Sequence, residues 1–344
     1  MRTHSEIAKP MSRDVRLSTE RGNGRSRARL ARSLTTYKNV VDISKKYGVS
    51  QSDLLSVKIK IKRQEDFLKY SYIRNNITGQ TFSLSDCLIS SNHNARRYYA
   101  EIQTRIDALT REAQKAHLVP VFLTITLPSE FHQSKQDFKG NLVSNPKFNG
   151  TMPAEAVKIL TKMWGKIRQD RSLKELSKSQ RMYYRVNEPH KDGTPHTHIL
   201  LFIPQERIER VEKAFKRLYN TETNKFVKDI ENAKSYIMKY INKTLPKSKE
   251  AMSLDDEYLN AWYIKNRISR FCSSRSTAPI YLYRLVSHRY SLYALTQVRK
   301  SGSLQVLATI DTDKIMEIWD DGEPLYFRNE NIEVHLMNQC QKVA

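Results

Sequence analysis

Cysteine is scarce in this chain of 344 residues. Cys87, Cys272 and Cys340 stand apart, odd in number and without a Cys-x-x-Cys pair. Neither a disulfide framework nor a cysteine zinc site is supported, and the three read as free thiols. Long apolar runs are missing too: none approaches the roughly 18 residues of a membrane-spanning helix. The N-terminus, with Arg2, His4, Glu6 and Lys9, lacks the apolar stretch of a signal peptide. A soluble, intracellular protein is expected. No Gly-x-x-x-x-Gly-Lys-[Ser/Thr] loop occurs, because the Gly165-Lys166 pair is followed by Ile167, and this argues against a nucleotide-driven motor. Acidic residues are also in short supply. Against 59 Lys+Arg there are 36 Asp+Glu, a net charge of +23. Such an excess resists compaction and calls for a polyanionic partner, since each cation that neutralises a phosphate releases a condensed counterion. Nucleic acid leads; an anionic membrane surface comes second.

Residues 1–33 carry nine arginines and lysines with few large apolar residues, and are expected to form a disordered basic arm. A helical, basic region is expected over 34–117. Within it, the spacing from Tyr37 to Ile77 suggests short helices broken at Gly48-Val49-Ser50, in the manner of a helix-turn-helix. A basic helix follows over 94–117 and carries Arg96, Arg97, Arg105, Arg111 and Lys115. The pattern then changes. Val119 to Leu127 reads as a buried strand ending at Pro128. Val157, Leu160, Trp164 and Ile167 share one helical face. Arg181 to Asn187 and His196 to Ile203 are two further strands, joined through Lys191-Asp192-Gly193-Thr194-Pro195. Helices follow from Ile208 and from Ala233. This order predicts an α+β fold with a central antiparallel sheet over 118–245. Residues 246–344 are expected to add a small α/β subdomain with a loop and surface helix near Asp255, Asp256 and Glu257, and strands at Tyr281–Val286 and Gly302–Ile310.

Three of the nine histidines, His190, His196 and His198, fall within nine residues. Positions two apart on a strand point to one face, so His196 and His198 can converge on a cation while Thr197 faces away. A hairpin at Asp192-Gly193 brings Glu188 beside them. Two imidazoles and a carboxylate on rigid β structure, with positions left open, are how a catalytic metal is held. His190 is the alternative third ligand, because the hairpin register is not readable from sequence. A bare His-x-His is equally the polar end of a hairpin; its place at the head of the apolar run Ile199–Phe202 favours the metal.

Tyr236 and Tyr240, four apart, lie on one helical face with Lys243, and Lys239 is beside them. The spacing is also that of two half-buried core tyrosines. What favours chemistry is the combination with lysines and a nearby cation site, since a phenol with an ordinary pKa of about 10 becomes a nucleophile when neighbouring positive charge favours the phenolate. Attack on a phosphodiester stores the bond energy in a phosphotyrosine, so the strand can be rejoined without ATP.

Taken together these segments resemble the HUH endonucleases, and within them the phage replication gene A proteins with two tyrosines. Phe122-Leu-Thr-Ile-Thr-Leu-Pro-Ser-Glu-Phe-His132 looks like the first motif. Asn145-Pro146 and the helix through Trp164 resemble the spacer, Arg185 to His198 the metal motif, and Tyr236 to Lys243 the tyrosine motif. The resemblance implies a palm-like antiparallel sheet with the histidines on a central strand, the tyrosine helix packed beside it, and one Mg²⁺ or Mn²⁺. It further implies rolling-circle initiation by nicking single-stranded origin DNA, with a host helicase and replication machinery as partners in a bacterial cytoplasm, from a phage or prophage gene. Thr197 departs from the family, which usually has a bulky apolar residue there; facing away from the metal, it should affect the chemistry little. Arg96, Arg97, Arg105 and Arg185 are the candidate DNA contacts. Two other classes fit parts of the pattern: a non-covalent His-x-His metal hydrolase, and a non-catalytic DNA-binding protein.

Overall fold

The computed structural model describes residues 46–136, 142–245, 252–309, 314–328 and 332–336. The arm expected at 1–33, and the stretch from Tyr37 to Lys45, lie outside the described residues. In chain order the main elements are helix α1 (Gln51–Lys69), strands β1 (Ser71–Asn75) and β2 (Thr81–Ser83), the short α2 (Leu84–Cys87), and α3 (Ala95–Lys115). Then come β3 (Val119–Thr126), the small hairpin β4 (Ser134–Gln136) and β5 (Leu142–Ser144), α4 (Pro153–Gln169) and the short α5 (Arg171–Lys174). The central hairpin is β6 (Met182–Pro189) and β7 (Pro195–Ile203), followed by α6 (Ile208–Leu218), β8 (Lys225–Val227), α7 (Ala233–Thr244), α8 (Leu254–Asn266) and β9 (Phe271–Ser273). The chain continues through α9 (Ile280–Val286), α10 (Leu292–Ser301), β10 (Leu304–Ala308), β11 (Ile315–Asp320), β12 (Glu323–Phe327) and β13 (Ile332–Leu336).

The α+β expectation holds. Five antiparallel strands in the order β8-β3-β7-β6-β9 form the central sheet. Helices cover both faces, which is why β7 reads as an almost unbroken apolar run rather than an alternating one. On one face Val121, Leu123, Ile125, Ile199 and Leu201 meet Leu160, Trp164 and Ile167 of α4 and Val211 and Phe215 of α6. On the other face Phe122, Tyr184, Val186, Leu200 and Phe202 meet Ile102, Ile106 and Leu109 of α3 and Ile237, Met238 and Ile241 of α7. The tyrosine helix is therefore held by its apolar face against the strands that carry the histidines. Lys234, at the start of α7, pairs with Asp107 of α3 at 2.7 Å.

Three local expectations are corrected. The described part of the segment from Tyr37 to Ile77 is no helix-turn-helix but one helix, α1, followed by the β1–β2 hairpin. Ser50 opens α1 with a reciprocal capping box to Asp53, and Gly79, at φ +70°, makes the hairpin turn. Tyr281–Val286 is helical: Leu282 and Val286 are four apart and both buried in the cluster with Leu292, Leu295 and Ile318. The helix near Asp255–Glu257 is not a surface element. Its acidic first turn is capped by Ser253, but Tyr258, Ala261, Trp262 and Tyr263 of α8 are buried against Val49, Leu54 and Val57.

Candidate metal and tyrosine site

Register sets the metal group. Glu188 of β6 lies directly opposite His196 of β7, and Val186 opposite His198. Glu188, His196 and His198 alternate onto the sheet face that α7 covers. His196 Nε2 is 3.7 Å and His198 Nε2 3.5 Å from the same Glu188 oxygen, Oε2. One ligand atom from each residue falls within 4.8 Å of the other two. His198 Nδ1 is 3.1 Å from Thr124 Oγ1 on the neighbouring strand β3. In the tautomer whose Nδ1–H donates to that hydroxyl, Nε2 keeps its lone pair and faces the carboxylate, the arrangement that fixes a metal-binding imidazole. Glu188 Oε1 and His196 Nδ1 are buried without hydrogen-bond partners. A set of two imidazoles and one carboxylate with unsatisfied buried atoms fits a divalent cation. Burial, followed by the neighbouring His190 and His198, holds the His196 imidazole well below its ordinary pKa and so in the unprotonated form.

His190, the alternative ligand, is one step removed. Its ring stands 4.2 Å from that of His196 and 5.0 Å from that of His132. Its Nε2 is buried and unpartnered. Burial and then His132 push its pKa down to about 4. His132, in turn, has Nδ1 3.1 Å from Asp192 Oδ2. Burial pushes the Asp192 carboxyl up, but hydrogen bonds from His132 and Thr194 outweigh it and keep the group below the usual carboxylate range. The hairpin turn is thus braced from the end of the first motif.

Tyr240 and Tyr236 project from α7 toward this group. The Tyr240 ring is 4.0 Å from the His198 ring, and both tyrosines pack on Phe122, at 5.0 and 4.7 Å between centroids. The two tyrosine rings are 6.1 Å apart. Burial pushes Tyr240 up to about 12, with Tyr236 and the Glu188 carboxylate adding to it. Lys243 sits with Nζ 5.4 Å from the Tyr240 ring centre, while Lys239 is exposed on the outer side of the helix. With no cation bound, Tyr240 is a protonated phenol.

The candidate DNA contacts separate. Arg96 and Arg97 are exposed at the start of α3, and Arg97 donates to the Asp86 carbonyl. Arg105 is tied to Glu101 at 2.9 Å, a carboxylate that also receives Arg284. Arg185 is not brought to the site. It is 7% exposed, on the opposite sheet face, with Nη1 3.3 Å from Thr161 and Nη2 3.7 Å from Cys272 Sγ. Three positions from Glu188 on a strand means opposite faces, which is the physical reason for the correction. Thr197 faces away from the metal group as expected, its hydroxyl donating to the Val186 carbonyl.

Several positioning residues were not apparent from the sequence. Trp262 Nε1 donates to the Gly193 carbonyl at 2.9 Å, and the Tyr263 hydroxyl to the Asn187 carbonyl at 2.6 Å, so α8 clamps the metal hairpin from outside. Arg270, 8% exposed, donates from Nε to the Thr244 carbonyl at the end of α7. It also reaches Ser91 and Asn260, and its guanidinium lies 4.1 Å from the centre of the Tyr263 ring. A cation there satisfies an orphan carbonyl at the C-terminus of the tyrosine helix and complements its dipole. Arg270→Met keeps the bulk but strands these buried acceptors. It is expected to lower the unfolding free energy by about 2–4 kcal/mol, read from urea denaturation; a loss below about 0.5 kcal/mol would contradict this role.

Residues 21–248 match the family model for the bacteriophage replication gene A protein, and the chain belongs to that family. It is 31% identical over 225 residues to the replication protein of Haemophilus phage HP1, covering 61% of this chain and 27% of that protein. To the replication gene A protein of Escherichia phage 186 it is 28% identical over 253 residues, covering 65% of this chain and 35% of that protein. To a probable replication endonuclease from a prophage-like region of Salmonella typhi it is 28% identical over 222 residues, covering 57% and 26%. The matches thus take in about a quarter to a third of these relatives' length. No solved structure matches. Among the described residues, no helix is long and apolar enough to cross a membrane.

Proposed function

We propose that this chain nicks and rejoins single-stranded origin DNA by tyrosine transesterification, in the cytoplasm of a bacterial host and alongside the host helicase and replication machinery. The single observation that carries the reading is the Tyr240 ring standing 4.0 Å from that of His198, within the same buried corner as His196 and Glu188. Support also comes from the family and from relatives whose names describe replication endonucleases. Glu188, His196 and His198 would hold one Mg²⁺ or Mn²⁺. That cation would supply positive charge to polarise the scissile phosphate and offset charge in the transition state.

The chain's own groups do the rest. The hydroxyl oxygen of one tyrosine bonds to phosphorus, the bond from phosphorus to the 3′ oxygen breaks, and the phenolic proton is balanced by the one the 3′-OH acquires. The products are a 5′-phosphotyrosine and a 3′-OH that can prime synthesis. Lys243, over the Tyr240 ring and at the rim of the site, is placed to hold the flanking phosphate, with Lys239 and Arg96 further out on the surface. Both tyrosines pack on the shared Phe122, with Tyr240 against His198 and Tyr236 beside it, so the second would cleave the regenerated origin after one round.

Incubation of the protein with single-stranded phage DNA and Mn²⁺ is expected to leave a denaturation-resistant protein–DNA adduct. The Tyr236→Phe/Tyr240→Phe double variant should leave none. An adduct persisting in the double variant, or none with the wild type, would sink the reading.

A further inference from the structure

Beside the metal group the protein has an open cleft of about 660 Å³, lined among others by Tyr47, Glu188, Lys191, Lys243 and Asp255. Its size is within the range of small-molecule pockets, roughly 300–1,000 Å³. Two of its walls belong also to the site already described: Glu188 faces the histidines, and Lys243 covers the Tyr240 ring. A strand with one phosphate at the metal group therefore has its neighbouring nucleotide at the mouth of this cleft.

Tyr47 occupies that mouth in a conformation that needs explanation. Its φ is +53°, the left-handed region that a bulky residue seldom adopts. The strain is held by a local bridge between Lys46 and Val49, by donation from the Tyr47 N–H to the Lys191 carbonyl at 3.1 Å, and by close backbone contact with Gly193. Held this firmly, the side chain is still only half-buried and lines open space. Strained residues gather at sites of function.

Glu188, Lys191, Lys243, Asp255 and Asp256 line the cleft, with Asp255 paired to Lys46 and Asp256 accepting from Ser253 at the start of α8. The Tyr47 side chain packs in part against the cluster of Val49, Tyr258 and Trp262 and also lines the cleft.

We propose that this cleft is a subsite for one base of the single strand, adjoining the phosphate at the metal group, with Tyr47 as the ring on which that base stacks. The proposal rests on the nicking reading of the neighbouring site. It is tested by irradiating the protein with Mn²⁺ and short random-sequence single strands that carry 5-iododeoxycytidine, then mapping cross-linked peptides by mass spectrometry. A cross-link at Tyr47 is expected. Tyr47→Leu should remove it and weaken strand binding roughly 5- to 100-fold, the effect of losing one stacked base. Tyr47→Trp should restore binding. The Mn²⁺ affinity measured without DNA should be the same in all three proteins. Cross-links that map only elsewhere overturn the proposal. So does a Tyr47→Leu protein whose Mn²⁺ affinity falls in step with strand binding, because Tyr47 would then be a prop for the hairpin. A Tyr47 cross-link in a protein that forms no phosphotyrosine adduct with single-stranded phage DNA leaves the subsite standing and removes the nicking reading; an adduct with that DNA but no Tyr47 cross-link does the reverse.

Discussion

His198→Ala is expected to slow adduct formation by about 10³-fold or more and to weaken Mn²⁺ binding at the same time. The imidazole is 8% exposed, and its Nε2 faces Glu188 while its Nδ1 meets Thr124. Truncation therefore removes one of the three proposed metal donors and opens a gap under Tyr240. A bound cation contributes several kcal/mol of transition-state charge stabilisation, and about 1.4 kcal/mol is tenfold in rate, so the loss of roughly 4 kcal/mol sets the figure. Thr124→Val makes the distinction between ligand and support. It keeps the shape of the strand but removes the partner of Nδ1, and a loss of about 10–100-fold in Mn²⁺ affinity is expected, as for other partners of metal-bound histidines. Calorimetric titration with Mn²⁺ reads both. A His198→Ala protein that binds Mn²⁺ as the wild type does would show that Glu188 and the histidines are not the metal group.

Gly193→Ala carries the largest expected effect on the fold near the site. Gly193 has φ +91° and closes the turn between β6 and β7, its N–H donating to the His190 carbonyl. A Cβ at this position would stand 2.4 Å from the Tyr47 carbonyl oxygen and 2.8 Å from its carbon, both backbone atoms that cannot swing aside. The left-handed conformation costs an alanine about 1–2 kcal/mol, and overpacking of this kind about 1–3 kcal/mol more. A destabilisation of about 2–5 kcal/mol follows, measurable by chemical denaturation, with a fall in Mn²⁺ affinity because Glu188 and His196 flank the turn. An alanine variant within about 0.5 kcal/mol of the wild type would mean that the segment around Tyr47 does not pack on this turn.

The outline of the central sheet was legible because its sequence pattern is local. Val119–Leu127 and His196–Ile203 are β-branched and apolar runs of strand length, and the Asp192-Gly193 turn pairs Glu188 with His196 once the hairpin forms. That Tyr236 and Tyr240 share one helical face was legible from their i, i+4 spacing. The misplacement of Arg185 was avoidable, since strand alternation alone puts it on the face away from Glu188. Other features depend on contacts that no local pattern encodes. Trp262 and Gly193 are 69 residues apart, and Arg270 joins the end of α7 to Asn260 and to Ser91, 179 residues away. The stretch Tyr281–Val286 has the length and apolar content of either a strand or a helix, and packing on α10 and β12 decided it. Burial and the neighbouring Tyr236 and Glu188, which no local spacing encodes, raise the Tyr240 pKa.

Strand β9 gives the family boundary a physical meaning. The match to the family model stops at residue 248, yet Phe271–Ser273 pairs with Val186, Arg185 and Tyr184 of β6. A fragment cut at the end of the matched span would turn β6 into an open edge, its ladder groups exposed for pairing with another chain. It would lose Trp262, Tyr263 and Arg270 as well, and with them the clamps on the metal hairpin and on the end of the tyrosine helix. The span shared in sequence is shorter than the unit that folds, so expression of the central sheet needs the chain at least through Ser273.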